Sequence, residues 1–465
     1  MRFVSLGIPR AGALPDSSGA RGLVLSHLIG IAVVIQFMLD RAVTFSLPYN
    51  RLVDVPIRLI LVWLIIDRVG RGGQRKLTAW DIAQLGFIGA HGVASIYADL
   101  FMARDAGLIN YLQWILQTAQ PFFYFLAVRE GLNRKGFRPD IVINWIIITI
   151  VVACAIAMLQ ALDIAGMRQR IDDFYDQRRT EASMEGASAP WQARGIAAHA
   201  NAMAMLILVG FTSLVASVGY RKLGWFELGA GVIFLGTLFA TYSRTGIVTL
   251  VTMAMGFVLM LFIQRKFREA FLSVSLIAGL LVAFMISVEV FDIQRYKVFT
   301  KGVGVVRNEE SRGLWGWYQR QKVLRDSVKL MEKYPLTGVT AATGALNRQR
   351  LIIKSPYTVE GLLLNIYGFS LAAYGLYGLT YVCVVLGICF YQLKYARSNR
   401  AFAAAAFFAG VVLAVSGMSE NTLFNLNSMV VVNCILALGL SNLKRKPDSR
   451  PDPLMALKNR FLRTA

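Results

Sequence analysis

Apolar residues in this chain come in runs near 20 residues long, separated by short polar connections. A helix rises 1.5 Å per residue, so about 20 apolar residues cross a hydrocarbon core about 30 Å thick. A helix also satisfies its own backbone N–H and C=O groups, as lipid requires. The pattern predicts spans at 22–40, 51–67, 80–99, 108–128, 140–162, 196–219, 225–242, 245–263, 271–290, 361–393, 401–420 and 428–443. The expected fold class is therefore all-α, a polytopic membrane protein with about twelve transmembrane helices. The first run follows a polar leader without a small-residue cleavage site, and reads as a retained anchor rather than a signal peptide.

Composition agrees. Of 465 residues, 56% are hydrophobic and only 16% charged, where a soluble domain carries about 25% charged residues. The basic residues mark alternate connections: Arg2, Arg10 and Arg21; Arg68, Arg71, Arg75 and Lys76; Arg129, Arg134, Lys135 and Arg138; Arg221 and Lys222; "QRKFR" at 264–268; Lys394, Arg397 and Arg400; and the tail "LKRKPDSR". Lys and Arg near span ends stay cytoplasmic, so both termini are expected there. More than half of the basic residues are such markers or lie in the tail, so the net charge of +22 is no nucleic-acid signature. No aromatic–basic motif points to nucleic acid, and no internal repeat is visible. The four cysteines all fall inside spans and only three histidines exist, which suggests neither a disulfide framework nor a metal centre.

Two outward connections are long. The first, 163–195, mixes both charge signs. The second, 291–360, is the largest polar piece and carries thirteen Lys/Arg against six Asp/Glu. Within it, "SRGLWGWYQRQKVLRDSVKLMEKYP" sets apolar residues at 314, 317, 324, 328 and 331, with Arg320, Arg325 and Lys329 elsewhere on the surface. That predicts an amphipathic helix stopped by Pro335. It either lies on anionic headgroups or covers a site for an anionic, lipid-linked substrate. Asn110, Gln113, Gln117 and Gln120 recur at helical spacing on one face of the fourth span. Either interhelical hydrogen bonds or a groove for sugar hydroxyls would use them. Asp54 and Arg58, one turn apart, suit an ion pair near the outer surface.

The segment "FATYSRTGIVTL" at 239–250 places Arg244 inside a long apolar region. An arginine at the bilayer centre costs about 2.5–3.5 kcal/mol on insertion scales. The basic residues before and after this region are both expected to be cytoplasmic, so the chain must cross outward and return, with "YSRTG" as the tight outer connection. Arg244 then either snorkels to headgroups or binds phosphate oxygens in a fixed bidentate geometry.

Taken in order, several segments resemble the O-antigen ligase and polymerase superfamily of bacterial envelope proteins over about residues 195–440. They are "GIAAHANAMAMLIL" with His199 and Asn201, the hairpin "FATYSRTGIVTL" with Ser243, the loop pattern "SRGLWGWYQRQKVLRDSVKLMEKYPLTGV", and "SPYTVEGLLLNIYGFSLAAYGLYGL". The resemblance implies a GT-C-like architecture in the inner membrane with one large periplasmic loop. It divides the chain into N-terminal helices and first loop (1–195), a ligase/polymerase-like core (196–443) and a basic cytoplasmic tail (444–465). It also implies glycosyl transfer from undecaprenyl-diphosphate-linked glycans without metal or cofactor. The acceptor would be a growing glycan or lipid A–core, and a flippase and chain-length regulator are possible partners besides membrane lipids.

By that resemblance Arg244 and Arg312 match the two family arginines that hold the diphosphate, with Arg194 and Arg320 as further candidates. Asn201, Ser243 and Asn365 join the substrate-binding set. Family ligases place a histidine just before the span that follows the large loop, and this chain has none in 291–465. One alignment puts Tyr357 at that position; another puts Leu364 or Asn365 there. Glu360 and His199 are the alternatives as base. The missing histidine favours a polymerase of O-antigen or exopolysaccharide over a ligase. A transporter of anionic or lipid-linked solutes and an inactive assembly partner are the readings from other classes.

Overall fold

Helices form where the apolar runs predict them, and their ends sort into two groups. The computed structural model describes residues 17–44, 55–70, 80–89, 107–170, 193–197, 200–220, 224–290, 324–325, 327–329, 331–332, 335, 366–394, 401–418 and 426–442. Among these residues all regular structure is helical: α1 (Ser17–Thr44), α2 (Val55–Gly70), α3 (80–89), α4 (Gly107–Leu132), α5 (Pro139–Ala161), α6 (Ala200–Ser217), α7 (Trp225–Ala240), α8 (Arg244–Ile263), α9 (Phe267–Val290), α10 (Ile366–Tyr391), α11 (Ala401–Ser416) and α12 (Leu426–Asn442). Among the described residues, six stretches are long and apolar enough to cross a membrane: Gly19–Met38, Pro139–Ala161, Ala200–Ser217, Arg244–Ile263, Phe267–Val290 and Gly375–Lys394.

Helix α6 is the centre of the bundle. It packs against α5, α7, α8, α11 and α12, and nearly every one of its side chains is buried. Small residues let these helices approach closely, which is how helices associate where lipid is as apolar as leucine. Gly210 is one such point: a Cβ there would sit 2.8 Å from the ring of Phe234 in α7. Helix α9 is the opposite case. It packs on α8 and otherwise presents Phe271, Leu276, Leu280, Ile286 and Val290 outward, as a lipid-facing helix does.

One end of the bundle collects basic residues. Arg129 at the end of α4 forms an ion pair with Asp81 of α3, and Arg134 reaches Asp67 of α2 at 2.6 Å while stacking over Trp63. The turn after α4 presses on α1, where Ser26 Oγ accepts the Arg138 N–H at 2.8 Å. Gly136 adopts φ +80° there, and a Cβ would meet the Gly19 carbonyl. The start of α11 meets the end of α6 at this same end through Tyr220 and Phe402. At the opposite end, Thr249 near the start of α8 bonds Ser416 at the end of α11 at 3.2 Å, and Tyr367 OH near the start of α10 donates to the Ala414 carbonyl at 3.0 Å. Helices consecutive in the chain thus run antiparallel, and the basic turn 129–138 lies at the opposite end from the Thr241–Arg244 turn.

Two predicted spans are altered where the chain approaches the Thr241–Arg244 end. In the span drawn from 196 the described helix begins at Ala200, and 193–197 form a turn with Gly195 at φ +52°. The span drawn over 361–393 is broken at Gly375, with φ 59° and ψ −143°. The amide face in α4 is partly resolved into packing. Gln120 donates to Gln36 of α1 beside Pro121, which interrupts the helix ladder. The side chains of Asn110, Gln113 and Gln117 lie outside those described, as does Asp54, the expected partner of Arg58.

Candidate functional site

The end of the bundle opposite the basic turn is built around a tight hairpin. Helix α7 ends when Tyr242 takes the left-handed conformation, φ 52°, a position usually given to glycine or asparagine. Thr241 ties the turn: its hydroxyl donates to the Leu238 carbonyl at 2.7 Å and accepts the Ser243 N–H at 3.2 Å. Ser243 then caps α8, its Oγ accepting the Gly246 N–H at 3.0 Å. The same hydroxyl donates to Asn201 Oδ1 at 2.8 Å, joining the cap to the first turn of α6. Gly246, suited to a turn or helix start, lies in the first turn of α8. Its missing Cβ would lie 2.9 Å from Ala204 and 3.0 Å from Leu238, so glycine lets α8 start close against α6 and α7.

Arg244 is the first residue of α8 and half-buried. A cation at a helix N-terminus is unfavourable by about 0.3–1 kcal/mol. Side chain and helix end both carry positive potential, so an anion held there relieves both. The hairpin takes Arg244 away from the middle of the apolar region to a helix start, and most of the insertion cost goes with it.

The segment before α6 closes on this hairpin. Ala193 N–H donates to the Ala240 carbonyl at 3.0 Å, at the last turn of α7. Arg194, the next residue, is 3% exposed. Gln160, near the C-terminus of α5, accepts the N–H of both Arg194 and Gly195 on one oxygen, at 3.0 and 2.9 Å. A buried arginine and a helix-start arginine thus stand at the end of the bundle where Ala193 meets Ala240 and Ser243 meets Asn201.

Four of the ten sequence-predicted residues, Arg194, Asn201, Ser243 and Arg244, therefore belong to one end of the fold. Arg312, Arg320, Tyr357, Glu360, Asn365 and His199 lie outside the described residues. Gln160 and Thr241 had not been singled out. The available signal for Gln160 was an amide in an apolar run, and for Thr241 a hydroxyl two residues before the cap.

The second loop also meets the bundle. Helical turns at 324–325, 327–329 and 331–332 match the expected amphipathic helix, and Pro335 follows in a turn. Among its described residues, Leu324 and Val328 are open at 42% and 36% exposure and Ser327 is buried. The Pro335 carbonyl accepts the Leu376 N–H at 2.9 Å, at the break in α10.

The O-antigen ligase family model matches residues 229–383. No curated protein matches the chain. The stretch that holds the Ser243–Arg244 hairpin, the second loop and the break at Gly375 matches the O-antigen ligase family, within the ligase and polymerase superfamily that the sequence motifs resemble.

Proposed function

We propose that the chain is a glycosyltransferase of twelve transmembrane helices in the bacterial inner membrane. In this reading both termini are cytoplasmic, and the hairpin at Ser243–Arg244 faces the periplasm. It extends O-antigen or exopolysaccharide on undecaprenyl diphosphate. The observation that carries this reading is the capped hairpin: Asn201 and Ser243 fix the start of α8, so Arg244 is held at a positive helix end beside the buried Arg194 segment.

In the reaction an acceptor hydroxyl attacks C1 of the donor sugar. The C1–O bond to the diphosphate breaks, and its electron pair leaves with the diphosphate oxygen. Arg244, with Arg194 and, from the second loop, Arg312 and Arg320, stabilises that growing negative charge. Preplaced donors of this kind are often the largest single contribution to catalysis. The hydroxyl proton passes to a base, for which Glu360, His199 and Tyr357 are the candidates. Asn201 and Asn365 are suited to hydrogen bonds with sugar hydroxyls. A flippase supplying donors and a chain-length regulator fit as partners.

The test uses the full-length protein in vesicles with an undecaprenyl-diphosphate-linked repeat unit, beside a deletion strain whose surface polysaccharide is run on gels. Arg244→Ala and Arg312→Ala should each lower the rate about 10²–10³-fold, leaving single repeat units in the complemented strain. Full activity in both variants would overturn the diphosphate assignment. Polymer of normal length that is missing only from lipid A–core would identify a ligase instead. Glu360→Gln and His199→Ala, made separately, identify the base.

A further inference from the structure

Gln160 sits in an apolar helix, in "AIAMLQAL", where no polar side chain is needed to form or pack the helix. It is 1% exposed. An amide in such surroundings is costly unless its hydrogen bonds are made, and here its oxygen accepts two consecutive backbone N–H groups, of Arg194 and Gly195. Two N–H groups converging on one oxygen form the concavity that successive residues make around a left-handed position, and Gly195 supplies that conformation at φ +52°.

The turn lies close against α5. A Cβ on Gly195 would lie 2.9 Å from Ala157 Cβ and 3.1 Å from the Ala153 carbonyl, both on α5 one and two turns before Gln160. The turn is closed by Ala197 N–H on the Arg194 carbonyl at 2.9 Å. On its other side Ala193 is held by the Ala240 carbonyl. The backbone of Arg194 is therefore clamped between α5 and α7, and the α5 side of the clamp is one side-chain oxygen. Gln160 lies outside the family-matched stretch, as does Arg194.

We infer that Gln160 is a positioning residue for the reaction: by holding the Arg194 and Gly195 N–H groups, it fixes the backbone from which the Arg194 guanidinium reaches the leaving diphosphate. This rests on the reading of the hairpin end as the donor-diphosphate site. Gln160 acts through Arg194 and touches no substrate. Its effect should therefore vanish when Arg194 is absent and survive when the acceptor oxygen is kept.

The experiment is a double-mutant cycle on full-length protein in vesicles, with the undecaprenyl-diphosphate-linked repeat unit as donor. The variants are Gln160→Leu, Gln160→Glu, Arg194→Ala and Gln160→Leu/Arg194→Ala. Thermal unfolding in detergent accompanies each. Gln160→Leu removes the acceptor and should lower kcat about 10- to 100-fold, as a small misplacement of a catalytic group does. Gln160→Glu keeps a carboxyl oxygen for both N–H groups and should stay within about threefold of the unsubstituted protein. Adding Gln160→Leu to Arg194→Ala should cost nothing further.

Wild-type kcat in Gln160→Leu, equal loss in Gln160→Leu and Gln160→Glu, or full additivity with Arg194→Ala would each overturn the inference. If Gln160→Leu fails to assemble, Gln160→Asn, which withdraws the oxygen by one methylene, takes its place in the same cycle. Wild-type kcat in Arg194→Ala alone would instead remove Arg194 from the diphosphate site, and the Gln160 role with it.

Discussion

Ser243 does two things at once. It ends the connection by capping α8 through Gly246, and it binds Asn201 on the central helix. Serine to alanine at an N-cap costs about 0.5–2 kcal/mol, and here it also strips Asn201 of its Ser243 contact. Ser243→Ala should therefore lower the unfolding free energy in detergent by about 1–2 kcal/mol, and lower transfer rate more than Ser243→Thr does. Thermal unfolding and initial rates of the two variants check this; equal rates in both would separate the cap from the chemistry. The residues of this hairpin were legible in the sequence because a tight return between two apolar runs demands small, hydroxylated and capping side chains. Gln160 was not. Its meaning lies in the approach of residue 194, and no periodicity encodes the meeting of α5 with a loop over 30 positions later.

Among the elements, α10 departs furthest from its sequence pattern. The apolar run continues through Gly375, yet the helix breaks there. The stretch able to cross a membrane starts at that residue, Gly375–Lys394. The preceding turns are held to α11 by Tyr367. The break frees the N–H of Leu376, and the loop takes it up through Pro335. Hydropathy cannot reveal such a break, because both halves are apolar, whereas the backbone angles single out glycine. With φ 59° and ψ −143° the position excludes a side chain at a cost of about 1–3 kcal/mol. Gly375→Ala should either straighten the helix or strain it, and in both cases release the loop at Pro335. Arg325 and Lys329, both exposed, then become faster sites of tryptic cleavage in sealed vesicles. Pro335→Ala keeps the carbonyl and should leave the cleavage rate near that of the unsubstituted protein. Unchanged cleavage in Gly375→Ala would show that this bond does not hold the loop.

For the whole molecule, the charge pattern and the packing agree on which helix ends meet. Lys and Arg alternate between connections, and the same alternation groups the ends of α1 to α5 around Arg129, Arg134 and Arg138, opposite the end that holds Arg194 and Arg244. Which end faces outward is set by the insertion rule for basic residues, and the proposed chemistry depends on it. The donor diphosphate must reach Arg244 from the face where glycans are assembled. Single cysteines test this directly in a Cys383→Ser background, since Cys154, Cys389 and Cys434 are buried and Cys383 is exposed. Gln169→Cys, exposed just beyond α5, should react with a membrane-impermeant maleimide in right-side-out vesicles. Lys135→Cys, exposed in the basic turn, should react only in inside-out vesicles or after permeabilisation. The reverse pattern would put the Ser243–Arg244 hairpin in the cytoplasm. Arg244 would then face away from periplasmic lipid-linked glycans, and transfer at the outer face would be untenable whatever the effect of its substitution.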